Sequence, residues 1–385
     1  MEEFDDIRPY QNAEVPEVIE RLLKNDEFFD AIVGIRFPVL KQVTPKLANH
    51  VIKKSLKNKL SKIHTIADVQ KLIAVYVERI LKTTTTGLTE SKLNDSSQVT
   101  SHLFMSNHRD IVMDPALISY LLHGSVHGTT QIAIGDNLLK KEYVSDLMRL
   151  NKSFIVKRSA HGKDMITASK QLSKYIHYSI AEGNNVWIAQ REGRAKDGID
   201  KTDPTILKML HMSNRDAVEK ISLKDSTNKL HIIPVSISFE YYPCAEMQAR
   251  ELYEIETNGN FEKNEKSDLN SISKGINGEK GDIHLGFGNE IVAIEDDPAV
   301  IALQIDQQII LNYKLHSSNY IAYEKLQLKD SSIGSALSTE ITITKVKRQE
   351  FEAKLHPVDE ELKVYFLRIY ANPVINQFRL KAELS

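Results

Sequence analysis

Short apolar runs and longer helical patterns alternate through the middle of this chain. The runs have the length and the Val, Ile and Phe content of buried strands, and they fall at 101–106, 130–135, 152–158, 185–190, 229–240 and 283–287. Between them, apolar residues recur at helical spacing, which predicts helices at 115–123, 137–149, 163–182, 203–221 and 243–256. Such alternation predicts an α/β fold with a mixed, mostly parallel sheet flanked by helices.

Both ends of the chain have helical periodicity. It predicts helices at 16–31 and 66–82 before the sheet, and at 298–315 and 347–382 after it. We expect the last of these to be interrupted near Pro357 and Pro373, because proline disrupts a helix interior.

Two polar, aperiodic stretches separate these regions. Residues 83–97 predict a linker, and residues 259–281 predict an exposed loop. We therefore expect three regions: a helical N-terminal region at 1–90, an α/β domain at 91–297 and a helical C-terminal extension at 298–385.

Composition narrows the class of protein further. The 385 residues carry a net charge of −2, which gives no reason to expect a nucleic-acid partner. The single cysteine, Cys244, excludes an intrachain disulfide and fits a reducing compartment. The acidic first ten residues do not resemble a signal peptide, and no apolar window is long enough to predict a transmembrane helix. Any membrane contact is expected to be peripheral.

A basic segment lies in the N-terminal region. Between Ala31 and Ala67 there are eight basic residues and no acidic ones: Arg36, Lys41, Lys46, Lys53, Lys54, Lys57, Lys59 and Lys62. Apolar residues recur on one side of the same segment, at Val51, Ile52, Leu56, Leu60 and Ile63. This pattern fits a solvated helix whose apolar side packs on a neighbour, or a helix attracted to an anionic membrane surface.

The stretch 106–117 carries the strongest chemical signal. It follows the apolar run 103–105 and places Asn107, His108, Arg109 and Asp110 shortly before Asp114. A carboxylate bound to one imidazole nitrogen leaves the other nitrogen free to act as a general base. A satisfied polar histidine is the plainer alternative. The tripeptide His-Arg-Asp also occurs in protein kinases, but Pro115 occupies a position where their loop requires a metal-binding Asn.

Two further stretches place charge at strand ends. Lys157, Arg158 and Ser159 follow one strand, and Glu192, Gly193 and Arg194 follow another. Arginine offers a planar fork that matches phosphate oxygens, and lysine a point charge, so both stretches are candidate anion sites. An ordinary charged strand exit is the alternative.

Other patterns point to structure or are set aside. Pro234 lies inside the run 229–240 and predicts an edge strand or a bulge, because proline cannot donate to a ladder. The sequence GFGNEI at 286–291 lacks the third glycine of a dinucleotide site. His123 and His127 have no apparent third ligand, so we expect no metal site.

Taken together, four blocks in this order resemble the glycerophospholipid acyltransferase superfamily. The first is Asn107-His108 with Asp114, which lies one residue further from the histidine than in the family pattern and leaves Asp110 open as the alternative. The others are Phe154-Ile155-Val156-Lys157-Arg158-Ser159, Glu192-Gly193-Arg194-Ala195 and Ile232-Ile233-Pro234-Val235-Ser236-Ile237. The third block lacks one residue that the family has between glycine and arginine. The resemblance covers about residues 95 to 295.

The resemblance implies transfer of a fatty acyl group from acyl-CoA or acyl-ACP to a hydroxyl of 1-acylglycerol 3-phosphate or glycerol 3-phosphate. It implies His108 and Asp114 as the catalytic pair, with no metal or bound cofactor. The residues implied to bind substrate are Asn107, Arg109, Lys157, Arg158, Ser159, Glu192, Gly193 and Arg194. The partners implied are the acyl donor and a phospholipid surface, at the inner face of the cell membrane. The alternatives are acylation of a lysolipid with an amino-acid headgroup, and a non-catalytic lipid-binding protein of the same fold.

Overall fold

The computed structural model describes residues 2–36, 45–91, 101–123, 128–215, 218–262, 265–329 and 343–385. Its centre is one seven-stranded sheet with the order β1-β7-β6-β2-β5-β3-β4. The strands are β1 (Thr85–Glu90), β2 (Leu103–Ser106), β3 (Gln131–Gly135), β4 (Ser153–Val156), β5 (Val186–Ala189), β6 (Ile232–Phe239) and β7 (Gly281–Phe287). All neighbouring strands are parallel except β6 and β7. The predicted α/β fold with a mixed, mostly parallel sheet is confirmed.

The longer helices of the described residues surround this sheet. Before β3 they are α1 (Val15–Lys24), α2 (Asp26–Arg36), α3 (Pro45–Leu60), α4 (Ile66–Thr84) and α5 (Met113–Leu122). Between β3 and β7 they are α6 (Glu142–Leu150), α7 (Gly162–Ala181), α8 (Pro204–Arg215), α9 (Leu223–Asn228), α10 (Ala245–Asn258) and α11 (Glu265–Asn277). After β7 they are α12 (Pro298–Asn312), α13 (Ser317–Lys329), α14 (Lys345–Leu355) and α15 (Lys363–Leu384).

The sheet is covered on both faces, and β2 lies at its middle. Every residue of β2 is buried, as expected of a parallel strand with neighbours on both sides. Leu103 and Met105 contribute to the core on the face covered by α7, α8 and α12. Phe104 contributes to the core on the opposite face, with Leu117 of α5 and Leu81 of α4. The strand is thereby fixed from all sides, and the loop that follows it starts from a rigid position.

Several boundary predictions were wrong. The sequence 83–91 was expected to begin a linker, but α4 continues through Thr84 and β1 joins the edge of the sheet; residues 92–97 of that stretch lie outside the described residues. Residues 265–277, expected to be loop, form α11. The helix predicted at 203–221 ends at Arg215. Pro357 does separate two helices, whereas Pro373 lies inside α15 without ending it.

The expectation for Pro234 was also wrong. Its strand, β6, lies between β7 and β2 and is internal. Pro234 is tolerated there because the antiparallel register with β7 begins only at the next residue, Val235, opposite Phe287. The Pro234 carbonyl still accepts a hydrogen bond from the Gly288 amide at 2.8 Å.

Three apolar residues of the basic segment pack inside the protein. Leu56, Leu60 and Ile63 are buried in a cluster with residues of α1 and α2. Lys53 lies 2.7 Å from Asp26, from Nζ to Oδ1. Lys54, Lys57, Lys59 and Lys62 are exposed. Lys41 lies outside the described residues. Among those residues, no helix is long and apolar enough to cross a membrane.

Candidate active site

The residues singled out in the sequence converge on one edge of the sheet. Parallel strands β2, β3, β4 and β5 all end there, and the predicted residues lie in the segments that follow them. The carboxyl edge of a parallel sheet is where α/β proteins place ligands, because the loops from several strands meet there.

His108 and Asp114 are in direct contact. The Nδ1 atom of His108 lies 2.8 Å from Oδ2 of Asp114. The Asp114 side chain is fully buried and that of His108 is 15% exposed. Asp114 lies in the first turn of α5, and the turn after β2 carries His108 back toward it. The Nε2 atom of His108 forms no hydrogen bond within the described part of the chain and is not among its buried unpartnered atoms.

The Asp114 carboxylate also organises the backbone around His108. Its Oδ2 atom accepts hydrogen bonds from the amides of Arg109 at 2.6 Å and Asp110 at 2.8 Å. The carboxylate is acceptor-only when ionised, so the proton of the His108 contact must lie on Nδ1. This arrangement leaves Nε2 as the basic nitrogen.

Trp187 forms one wall beside the histidine. The two rings lie edge to face, with centroids 5.7 Å apart. Trp187 is itself fixed, because its Nε1 donates to Ser106 Oγ at 2.9 Å. The histidine is therefore held between a carboxylate on one side and an immobile aromatic ring on another.

Asp110 has a different role from Asp114. Its Oδ1 atom accepts hydrogen bonds from the amides of Val112 at 3.0 Å and Met113 at 2.9 Å, at the start of α5. Burial raises the pKa of Asp110, and the nearby charge of Asp114 raises it further. The carboxylate that contacts His108 is Asp114, across the longer spacing.

Asn107 and Arg109, expected to bind substrate, point into the protein. The Asn107 amide donates to the Ile237 carbonyl at 3.1 Å and accepts from the Ile237 amide at 2.7 Å. Arg109 donates to Asp200 Oδ2 at 2.6 Å and lies across the ring of Tyr313. Both side chains are buried, so they can position the loop but are not available to an external ligand.

Arg158 and Glu192 bring the second and third blocks together. The Arg158 guanidinium lies 3.6 Å from the Glu192 carboxylate, and both side chains are at least partly exposed. The Arg158 amide donates to Asp136 Oδ1 at 3.1 Å, and the Ser159 amide and hydroxyl also donate to Asp136. Asp136 thus ties the end of β4 to the end of β3.

Lys157 and Arg194 have partners within the protein. Lys157 donates to Asp6 of the N-terminal segment and to Gln171 of α7. Arg194 donates to Ser271 Oγ at 2.5 Å, on α11. Gly193 turns the chain between Glu192 and Arg194 in the left-handed region, with φ of 73°. Within the described ranges, no group of three or more His, Cys, Asp or Glu side chains could hold a metal ion.

Three residues that shape this site were not predicted from the sequence. Asp200 lies a few residues after Arg194, and its contact with Arg109 could not be inferred from local pattern. Tyr242 follows β6 and donates its hydroxyl to the Arg109 carbonyl. Asp136 follows β3, and its position at a strand end was the available signal.

Comparison with known proteins finds a family match for part of the chain. Residues 88–238 match the model of the Acyltransferase family. This region includes β2, β5 and β6, the His108–Asp114 pair and the Glu192 loop. This part of the chain is thus similar to that family.

Solved structures that are similar to this chain include the 1-acyl-sn-glycerophosphate (LPA) acyltransferase PlsC from Thermotoga maritima. The match has 14% sequence identity and a TM-score of 0.36, and it covers 76% of this chain and 95% of that one. No curated protein sequence matches the chain.

Proposed function

We propose that the protein transfers a fatty acyl group from acyl-CoA or acyl-ACP to a hydroxyl of 1-acylglycerol 3-phosphate or glycerol 3-phosphate. The observation that carries this proposal is the 2.8 Å contact between His108 and Asp114, inside the segment that matches the Acyltransferase family. A thioester is already activated, so the difficult part of the reaction is making the acceptor hydroxyl nucleophilic.

His108 performs that step. Its Nε2 atom takes the proton from the acceptor hydroxyl as the oxygen attacks the thioester carbonyl. Asp114 holds the tautomer and stabilises the imidazolium, as the acid of a catalytic triad does. The tetrahedral intermediate then expels the thiolate, which takes the proton from His108. A positioned general base contributes about 10²–10⁴-fold to such a rate.

Direct attack by the acceptor fits the groups around the histidine. Ser106 is the serine nearest to His108 in sequence, and its hydroxyl donates to the Asn107 carbonyl and accepts from Trp187. Because this hydroxyl is buried and already hydrogen-bonded, it is not available as a nucleophile. The donor and the acceptor would therefore be bound together, with no acyl-enzyme between them.

Arg158 is the candidate for binding the acceptor phosphate. Its side chain is half-buried at the carboxyl edge, and its partner Glu192 is mostly exposed and weakly held. A phosphate could replace that contact with a bidentate pair. Arg194 and Lys157 would join it only by leaving Ser271 and Asp6, and Ser159 could add a hydroxyl.

The same partners support the alternative acceptor. If Arg194 and Lys157 stay with Ser271 and Asp6, the site has less positive charge to offer a phosphate. A lysolipid with an amino-acid headgroup would then be acylated by the same His108–Asp114 pair.

We also propose peripheral attachment to an anionic membrane surface, at its cytoplasmic face. Exposed lysines of α3 and the turn after it support this, namely Lys54, Lys57, Lys59 and Lys62. Each basic residue near such a surface contributes about 1 kcal/mol.

One assay tests the proposed reaction, its acceptor and the role of His108 together. Purified protein is incubated with labelled acyl-CoA or acyl-ACP and with glycerol 3-phosphate, 1-acylglycerol 3-phosphate or a lyso amino-acid lipid. We expect a labelled product with a phosphate-bearing acceptor and none with His108→Ala. Product only with the amino-acid lipid would establish the alternative. Lipid binding without any product would favour a non-catalytic protein.

A further inference from the structure

The residues on either side of His108 share one buried partner. Asn107 Nδ2 donates to Asp200 Oδ2 at 3.1 Å, and Arg109 Nη2 donates to the same oxygen at 2.6 Å. Asp200 lies in the loop 190–203 that connects β5 to α8, and its side chain is almost fully buried. We infer that Asp200 is a positioning residue for His108, and that the buried Arg109–Asp200 pair fixes the catalytic turn.

Several hydrogen bonds connect the turn at His108 and Arg109 to the loop that contains Asp200. Besides Asp200, Arg109 donates to the Ala195 carbonyl at 3.2 Å, and the Ala195 amide donates to the His108 carbonyl at 2.9 Å. The His108 backbone is thus hydrogen-bonded directly to the loop that contains Asp200. A shift of this loop would be transmitted to the imidazole.

The pair also reaches Asp114. The Arg109 amide donates to Asp114 Oδ2, the oxygen that contacts His108. If the Arg109 guanidinium lost its partner, its backbone could move and this shared oxygen would be released from one of its donors. Asp200 therefore acts on both members of the His108–Asp114 pair without touching either.

The segment after Asp200 is hydrogen-bonded to α12. Two residues further along, Thr202 donates through its amide at 2.7 Å and its hydroxyl at 2.6 Å to Asp306 of α12. Tyr313, just after the same helix, lies across the Arg109 guanidinium. The first helix of the C-terminal extension thus supports the charge pair that supports the histidine.

A positioning role differs from a purely structural one in a measurable way. A buried ion pair can often be replaced by apolar residues of similar size without loss of stability, whereas removing one partner leaves an uncompensated charge. Replacing both residues therefore separates stability from positioning. The double variant Arg109→Met with Asp200→Leu removes the charges and also the acceptor that Asn107 uses.

The experiment compares Asp200→Asn, the double variant and Asp197→Asn. Asp197 lies in the same loop and bonds locally to the Ile199 amide, so Asp197→Asn controls for the chemical change. We expect Asp200→Asn to lower the denaturation midpoint and the double variant to recover it. In both, kcat should fall about 10- to 100-fold with both KM values little changed, while Asp197→Asn should resemble the wild type.

A second readout does not depend on acyl transfer. The His108 Nδ1 proton in its bond to Asp114 should give a downfield NMR resonance, assigned by its loss in His108→Gln. We expect this resonance to shift or broaden in Asp200→Asn and in the double variant. The kinetic readout rests on the proposed function, whereas the resonance tests the inference even if no acyl transfer is found. A double variant with wild-type stability, kcat and resonance would overturn the inference.

Discussion

Arg158 of one loop lies 3.6 Å from Glu192 of another, measured from Nη1 to Oε1. Residues from the ends of β4 and β5 are thereby in contact, although β3 lies between those strands in the sheet. The Glu192 carboxylate contacts the Arg158 guanidinium in the free protein. The phosphate of the proposed acceptor would compete with Glu192 for this guanidinium.

Replacement of Arg158 tests this competition. We expect Arg158→Gln to lower kcat/KM for a phosphate-bearing acceptor by about 10- to 150-fold, since a hydrogen bond to a charged group contributes about 1.5–3 kcal/mol. The KM for the acyl donor should change little. Lys163→Gln, at an exposed lysine at the start of α7, is the matched control. An equal loss on an acceptor without phosphate would argue against this role.

Replacement of the proposed catalytic pair should give a graded result. We expect His108→Ala to abolish nearly all transfer, and Asp114→Asn to reduce it severely, because an amide no longer selects the Nδ1–H tautomer. Asp110→Asn should be mild, since an asparagine oxygen can accept the same hydrogen bonds from the amides of Val112 and Met113. Initial rates are measured with circular dichroism spectra as a check of folding. If Asp110→Asn were the more damaging variant, Asp114 would not be the orienting carboxylate.

The stability of the protein should depend on Asp306 in a defined pH window. Burial raises the pKa of Asp306 to about 6, against the opposing hydrogen bonds from Thr202. Because the folded-state pKa exceeds the unfolded value of about 3.9, the folded state binds the proton more tightly between these values. Charged Asp306 then costs up to about 3 kcal/mol above pH 6, and this cost disappears as the pH falls toward 4.

Asp306→Asn removes the titration while keeping an oxygen for Thr202. Urea unfolding of both proteins at pH 4.5 and pH 7.5 measures the effect. We expect the variant to gain stability relative to the wild type at the higher pH and to lose that advantage at the lower. A constant difference between the two proteins would show that Asp306 does not titrate in this window.

The close approach of Gly198 to α15 makes a steric prediction. Gly198 has φ of 80°, and a Cβ there would lie 2.3 Å from the Ile369 carbonyl oxygen. Gly198→Ala should therefore combine backbone strain of about 1–2 kcal/mol with overpacking of about 1–3 kcal/mol. Gly193→Ala is the control, because its φ is 73° and no atom lies within 4 Å of the added Cβ. Thermal denaturation that ranked both variants equally would contradict the steric part.

Membrane attachment through α3 should be mainly electrostatic. Leu56, Leu60 and Ile63 are buried against neighbouring helices, so this part of the apolar stripe cannot also enter a bilayer. We expect sedimentation with anionic but not neutral vesicles. Release should be nearly complete at 1 M salt, where the Debye length is about 3 Å.

A variant with Gln at Lys54, Lys57, Lys59 and Lys62 should bind these vesicles more weakly. Lys53→Gln is the control, since Lys53 is paired with Asp26. Vesicle binding that did not change with lipid charge or with these substitutions would contradict the proposed role of α3.

Strong periodicity and strand-end position made much of this fold predictable. The apolar runs of β2 and β5 are buried in the centre, where hydrophobicity alone determines the outcome. Edge and peripheral elements escaped prediction. Thr85–Glu90 is polar enough to resemble a linker and becomes a strand only because β7 offers it a partner. Helix α11 is as polar as a loop, and Gly275 within it packs against Asp110.

The direction in which a side chain points was harder to predict than its position. His108 precedes α5 and Asp114 lies in its first turn. Because the two residues are close in sequence, local geometry allowed their contact to be expected. Arg109 is adjacent to His108 but turns inward because Asp200, far along the chain, supplies a buried counter-charge. Lys157 contacts Asp6, a counter-charge that is half exposed and also far away in the sequence. Both partners are distant in sequence and were invisible to local pattern.

Trp187 gives the molecule its own optical reporter. It is the only tryptophan in the sequence, it is buried, and its ring meets the edge of His108. Because indole emission depends on the surroundings of the ring, tryptophan emission should change when a ligand enters the space beside His108, without any label.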